Sequence, residues 1–530
     1  MDTITSSGGM VVAPHKAAAE AGADILRDGG SAVEAMVAAA ATIAVVYPHM
    51  NAIGGDGFWL IAEPGKDPKA LMACGRAGSN ATIEHYNARG YGEIPARGPL
   101  AAVTVAGTVG GWDAALKAAS TVGAARMSRK DLLCSAIGYA KAGMAVSRSQ
   151  AALTAAKLVE LKDQPGFADV FLVDGEAPPE GYLLKQPRLA DTLDHLAYEG
   201  FDEFYRGDVG AAIAEDLERI GTPITKKDLE RFEARFRTPL KVTLKCGDVF
   251  NAPPPTQGLA SLILLGLFDR LDVPHDQGFD YVHGLVEATK RAFLVRDRVV
   301  TDPDRLPEPV SGFLDAEWLD REAMKISRTR ALRWPTDPSA GDTIWMGAID
   351  KTGLAVSFIQ SIYWEFGSGC VLPKTGVTWQ NRGASFSLRP DALNRLEPGR
   401  QPFHTLNPAM ARLRDGRTLT YGTMGGEGQP QTQAMIFTRH VLHSMPVGEA
   451  IDRPRWLLGR TWGDETTSLR LESRFDPDIA RDLMRAGHEV VVIDEAYSDT
   501  MGHAGMIARN SAGGLEGAHD PRADGGAAIA

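Results

Sequence analysis

Two rhythms of apolar and polar positions divide the chain. In "GFDYVHGLVEATKRAFLVRDR" (278–298) apolar residues recur every 3.6 positions, which predicts a helix. In "TIWMGAI" (343–349) and "LAVSFIQSIY" (354–363) they alternate, and "DKTG" joins the two runs, which predicts a β-hairpin. "HKAAAEAGADILRDGG" (15–30) reads as a helix stopped by Gly29-Gly30. Ser31 and Glu34 then form a capping box that opens the apolar helix "AMVAAAATIAVV" (35–46). A glycine turn in "NAIGGDGFWLIAEPG" (51–65) feeds a strand, and another strand is expected near 70–78. Residues 128–300 read as mostly helical, with "NAPPPTQG" (251–258) a rigid turn before the helix "LASLILLGLFDRL". Past the hairpin, strands are expected near 377–387, 407–413 and 418–424, then helices near 430–445 and 475–486. The breaker-rich stretch 330–342 is the seam between two halves, each with helices flanking sheets.

Composition narrows the function classes. The 530 residues carry 44% hydrophobic and 23% charged residues, the mix of a soluble globular protein. A net charge of −11 argues against a nucleic-acid binder and supplies no basic membrane patch. The longest apolar run has 12 residues, short of the ~20 that a membrane span requires. No secretory signal is recognisable, and the expected location is the cytoplasm. Cys74, Cys134, Cys246 and Cys370 are far apart and the histidines scattered, so neither a disulfide framework nor a zinc site is expected.

The candidate chemistry centres on "PSAGDTIWMGAID" (338–350). Thr343 follows a flexible run and heads a strand. One reading is an ordinary strand threonine after a turn. The other is a nucleophile that becomes N-terminal when the chain cuts itself between Asp342 and Thr343. A threonine hydroxyl needs a base, and a free α-amino group, with a pKa near ~7.7–8.0, would supply one. The glycine clusters "MNAIGGDGFW" and "GTMGGEGQPQ" lack the spacing and the lysine of phosphate-binding loops. They are tight turns or, for Gly425 and Gly426, backbone donors for an oxyanion. Arg76 alone reads as a surface ion pair.

Several long motifs, in order, resemble the γ-glutamyltranspeptidase family of N-terminal nucleophile hydrolases. They include "GGMVVAPHKAAAEAGADILRDGGSAVEAMVAA", "VVYPHMNAIGGDGFW", "DTIWMGAIDKTGLAVSFIQS", "NRGASFS", "MGG" and the tail "GAHDPRADG", and the likeness runs from about residue 8 to 525. The resemblance implies an α+β fold, a four-layer αββα sandwich. It also implies a precursor that cuts itself into residues 1–342 (large fragment) and 343–530 (small catalytic fragment), both contributing to one intertwined domain. It makes Thr343 the nucleophile, Ser361 the hydroxyl that supports it, and Gly425 and Gly426 the oxyanion donors. Arg76 matches the arginine that grips an α-carboxylate, a task suited to a forked guanidinium. The resemblance implies no cofactor and no metal.

The sequence departs from the transpeptidases where they hold an α-ammonium. Tyr363, Arg382 and Ser385 stand at those positions, and a cation replaces the expected acid. His404 and Thr405 replace a pair of serines, and segment 389–401 is shorter than the lid loop of many members. These changes point to a small carboxylic acid amide without an amino group. The likeness is strongest to the family's oxamate-hydrolysing branch, within purine nitrogen breakdown, with Arg76, and Arg382 beside it, facing the carboxylate. The alternatives are a γ-glutamyl hydrolase or transpeptidase, a cephalosporin-type acylase, and a non-catalytic ligand-binding scaffold. Expected partners are the small-molecule amide and the two fragments for each other, with a homodimer of such heterodimers allowed, and neither nucleic acid nor membrane.

Overall fold

A computed structural model describes residues 1–334, 342–459 and 466–530, Asp342 by its backbone alone. The run Pro338–Gly341, where the sequence places a flexible approach to the cut, lies outside the described residues.

Two seven-stranded antiparallel sheets form the middle of the molecule. The first runs, in spatial order, Gly526–Ile529, Met10–Ala13, Asp342–Ile349, Ala355–Tyr363, Asp56–Ala62, Lys69–Ala73 and Arg235–Arg237. The second runs Ile4–Ser6, Leu515–His519, Ala504–Arg509, Thr418–Thr423, Ala409–Leu413, Gly247–Asn251 and Leu240–Leu244. Both sheets therefore take strands from either side of the 330–342 seam.

Side-chain parity defines the four layers, because successive residues of a strand face opposite sides. On the strand Asp342–Ile349, Ile344, Met346 and Ala348 pack under the helices Lys16–Arg27 and Ala32–Val46, while Trp345 and Ile349 pack between the sheets. Its partner does the same: Val356 and Phe358 face the helices, Ala355 and Ile359 the inter-sheet core. On Asp56–Ala62, Trp59 faces the helices and Phe58, Leu60 and Ala62 face inward. The helix Ala32–Val46 is buried all round, lying between this sheet and neighbouring helices, which is why its sequence lacks a polar stripe. The helices Gly258–Leu271, Phe279–Val299 and Gln429–Phe437 cover the other sheet and close the fourth layer. The expected αββα sandwich is the fold observed.

Residues 128–300 are mostly helical as expected, and in addition supply Arg235–Arg237, Leu240–Leu244 and Gly247–Asn251, strands at the edges of the two sheets. One expectation is corrected. Segment 377–387 is not a strand. It makes isolated bridges and then a 3-10 turn, Arg382–Ser385, held by Asn381 rather than by a ladder. Strands Ala504–Arg509, Leu515–His519 and Gly526–Ile529 complete the sheets beyond the last expected helix. Among the described residues no helix is long and apolar enough to cross a membrane.

Candidate active site

Thr343 is fully buried near the start of the central hairpin, on the face that looks between the sheets. The pairing register slips here: Asp342 opposes Tyr363, but Ile344 opposes Gln360. This bulge re-aims Thr343, as bulges near reactive centres do. Its Oγ1 donates to Ser361 Oγ at 3.3 Å. Ser361 Oγ also accepts from the Tyr363 backbone N–H at 2.8 Å, which fixes the serine rotamer. Ser361 in turn opposes Asp56 on the next strand, so Thr343, Ser361 and Asp56 form a row across three neighbouring strands on one face.

Tyr363 ends its strand at φ +83°, a left-handed conformation that costs a tyrosine about 1–3 kcal/mol. That turn lays its ring beneath Arg382, whose guanidinium carbon stands 3.8 Å from the ring centroid. Arg382 is 1% exposed, and neither terminal nitrogen has a hydrogen-bond partner among the described residues. Burial pushes its guanidinium down to about 10, with Tyr363 and Asp56 drawing it back up, so it stays charged at neutral pH. The turn that carries Arg382 is clasped to the hairpin by Asn381, whose Oδ1 accepts from Trp364 N at 3.1 Å and whose Nδ2 donates to Ala96 O at 2.8 Å. Ser385, one turn on, is engaged by backbone carbonyls of Arg382 and Phe403.

The glycine pair approaches through tryptophan packing. The Trp345 indole, two residues past Thr343, lies flat on Gly422 and Gly505, where any Cβ would meet the ring at 2.2 and 2.4 Å. Gly422 is three residues before Gly425. Gly425 (φ +111°) and Gly426 (φ +51°) adopt left-handed conformations that turn the strand Thr418–Thr423 into the helix Gln429–Phe437. Gln257 fixes this corner: its Nε2 donates to Gly426 O (2.8 Å) and Thr405 O (2.7 Å), and its Oε1 accepts from Arg296 Nη1 (3.1 Å).

His404 and Thr405 lie on the same inner wall. His404 is fully buried, edge-on to Phe58, with Nε2 3.7 Å from Asp56 Oδ2. Burial, and then the charge of Arg382, holds its imidazole well below the usual value, so it is neutral. Both ring nitrogens and Thr405 Oγ1 have no hydrogen-bond partner among the described residues. Orphaned buried donors and acceptors are rare in folded proteins, and several on one wall mark a place built for a polar ligand.

Arg76 lies nearer the surface. It is half-exposed, donates to Gly399 O (2.9 Å) and pairs with Asp304 (3.0 Å) and Asp302 (3.5 Å) beside a surface cleft. Asp56, Gln257 and Arg296 are site residues that the sequence did not single out. For Asp56 and Gln257 the one legible signal was position, in the glycine turn 54–57 and near the end of the proline-rich turn 251–258; Arg296, inside a helix, had none.

Away from this site, two of the histidines meet an acid. His283, Glu287 and His488 bring potential ligand atoms within 4.8 Å of one another. Lys290 sits among them, bonded to Glu287 Oε1 (2.8 Å) and His488 Nδ1 (3.4 Å). His488 Nε2 bonds His283 Nδ1, and His283 Nε2 bonds Ser327 O, each at 2.8 Å. This continuous chain clamps the segment after Ile326 onto the helix Phe279–Val299.

Comparison with known proteins agrees with the geometry. The γ-glutamyltranspeptidase family model matches residues 18–530. An oxamate amidohydrolase proenzyme of Klebsiella pneumoniae is 54% identical, covering 99% of this chain and 98% of that one. A glutathione hydrolase-like proenzyme of Bacillus subtilis is 40% identical over 98% of each. The crystal structure of a cephalosporin acylase from Bacillus halodurans superimposes with a TM-score of 0.92 at 31% identity, covering 100% of this chain and 97% of that one. The chain therefore belongs to the γ-glutamyltranspeptidase family and is an amidohydrolase with the N-terminal nucleophile hydrolase fold.

Proposed function

We propose that the chain cuts itself between Asp342 and Thr343 and that the new N-terminal Thr343 hydrolyses the amide of a small carboxylic acid, most readily oxamate, to oxalate and ammonia. The observation that carries this reading is the buried guanidinium of Arg382, without a hydrogen-bond partner and stacked on Tyr363, whose backbone N–H holds Ser361. Oxamate has its carboxylate directly bonded to the scissile carbonyl, so its anchor must lie close to the nucleophile. Arg382 meets that need. Arg76, already paired with two aspartates at the surface, is better suited to shaping the entrance. The 54%-identical oxamate amidohydrolase proenzyme supports the same substrate and the precursor state.

In self-cleavage Thr343 Oγ attacks the Asp342 carbonyl carbon, the peptide C–N bond breaks, and water hydrolyses the resulting ester. The products are an Asp342 carboxylate and a Thr343 α-amine. In turnover that amine accepts the Oγ proton as the oxygen attacks the amide carbon. The N–H groups of Gly425 and Gly426 receive the oxyanion, a contribution of ~3 kcal/mol per donor. The α-ammonium protonates the departing ammonia, and water, deprotonated by the amine, releases oxalate from the acyl-threonine. Ser361 holds Oγ1 in line throughout.

The decisive experiment is ammonia release from oxamate, a γ-glutamyl anilide and a glutaryl amide by purified wild type and Thr343→Ala, with N-terminal sequencing of the small fragment. Oxamate turnover by a fragment beginning Thr-Ile-Trp is expected. Turnover of the γ-glutamyl compound alone would reassign the substrate, and an uncut chain that still hydrolyses oxamate would remove the mechanism.

A further inference from the structure

Arg382 faces a buried carboxylate that it does not hold. Asp56 is 1% exposed, and its Oδ1 is satisfied by the Gly75 and Gly107 backbone N–H groups, each at 3.1 Å. Its Oδ2 lies 3.7 Å from neutral His404 and is not fully satisfied, the Gln380 side chain being the one other group drawn toward this carboxylate. Asp56 and the Arg382 guanidinium feel each other's charge, and no hydrogen bond joins them. The titratable groups facing Asp56 from the surrounding elements are few. Cys74 follows the neighbouring strand, Tyr205 lies beneath the 106–110 turn, and Arg382 and His404 stand on the opposite wall. Burial pushes the Cys74 thiol and the Tyr205 phenol up and the His404 imidazole down, so all three are neutral near pH ~7. After cleavage the Thr343 α-amine joins these groups; in the form competent to accept the Oγ proton it is neutral, and Arg382 and Asp56 then set the charge of the wall.

One buried guanidinium neutralises one anion. If Asp56 is ionised, an incoming carboxylate leaves a dry pocket with a surplus negative charge, which is strongly unfavourable. If Asp56 is protonated, the carboxylate completes a neutral pair with Arg382, and the Asp56 hydroxyl faces an imidazole nitrogen that can accept it.

We propose that Asp56 is a specificity-determining residue that holds a proton whenever an anionic acyl group occupies the site, so that the enzyme takes up its substrate carboxylate together with one proton. This rests on the small-acid-amide reading above and makes the site selective for anions over neutral amides. Burial, opposed by the Gly75 N–H and by Arg382, pushes the Asp56 carboxyl up to about 7, which lets it exchange that proton in the neutral range.

The test uses the processed enzyme and two readouts. Titration calorimetry of pyruvate, a monoanion of oxamate's shape with no amide to hydrolyse, in buffers of different ionisation heat measures proton uptake on binding. Steady-state kinetics on oxamate between about pH 6 and 9 measures KM. Wild type is expected to take up close to one proton per pyruvate near pH ~8, with KM rising up to about tenfold per pH unit above ~7. Asp56→Asn, which stays neutral, is expected to bind pyruvate without uptake and with a flat KM, while His404→Gln keeps the uptake. Proton-free binding by wild type, uptake that survives Asp56→Asn (which would assign the proton to the Thr343 amine), or uptake lost only in His404→Gln overturns the assignment. If Asp56→Asn does not fold, the wild-type uptake decides alone. If oxamate is not hydrolysed, the proposed activity falls while uptake on pyruvate binding still decides the role of Asp56, and failure to bind either oxamate or pyruvate removes both.

Discussion

Thr343, Ser361, Tyr363 and Arg382 reach the site from two stretches of chain, and three of them, Thr343, Ser361 and Arg382, carry separable predictions. Thr343→Ala is expected to abolish cleavage and lower turnover more than about a thousandfold, read by gel and ammonia assay, because nothing else supplies the attacking oxygen. Ser361→Ala removes one bond to the nucleophile and is expected to slow kcat by about 10–100-fold. Arg382→Met is expected to raise KM for oxamate by about a hundredfold or more, the loss of a buried charge partner, while a neutral amide is spared that loss. Asp56 also bears on stability. Its folded pKa lies above the ordinary carboxylate value, so its burial is tolerated in acid and destabilises the free enzyme increasingly as pH rises toward about 7. Asp56→Asn should therefore melt higher than wild type near pH ~8, the gain vanishing by pH ~4. The sequence could nominate Thr343 because a threonine after Gly-Asp is a local pattern. It could not nominate Asp56, whose meaning comes from the register that places it opposite Ser361.

At the level of elements, the hairpin 342–363 was legible because its alternation and its "DKTG" turn are local signals. The edge strands 235–251 were not, being short and set between long helical stretches. The 377–387 segment misled because its apolar residues serve a turn that presents Arg382 rather than a ladder. The Trp345 contact with Gly422 couples the strand Asp342–Ile349 to the glycine corner 425–426. Gly422→Ala would drive a methyl into the indole, and a loss of about 1–3 kcal/mol with slower self-cleavage is expected, measured by melting and by the time course of fragment formation.

Across the whole molecule, strands from both sides of the seam alternate within each sheet, so the two fragments are expected to co-elute under native conditions after cleavage and to separate only on denaturation. The C-terminal motif "GAHDPRADG" secures this arrangement through a buried network: Asp520 pairs with Arg455 (2.6 Å) and Arg522 (3.0 Å), and Arg522 with Glu472. Burial opposes ionisation of Asp520, but the two arginines outweigh it and hold the carboxyl well below its usual range. Its stabilising contribution is therefore complete above the ordinary carboxylate value and is lost as pH falls below it. Asp520→Asn is expected to cost about 3–5 kcal/mol in denaturant unfolding at neutral pH, a difference that narrows in acid. By itself the sequence determined the helices, the central hairpin, the glycine corner and, through long ordered motifs, the family, because each is written in residues close together along the chain. Only the tertiary structure decided that Arg76 pairs at the surface while Arg382 is buried against Tyr363, and that Asp56 lies opposite Ser361. Burial and charge partners are set by strands brought together from hundreds of residues apart, and no local pattern encodes which guanidinium is buried without a hydrogen-bond partner.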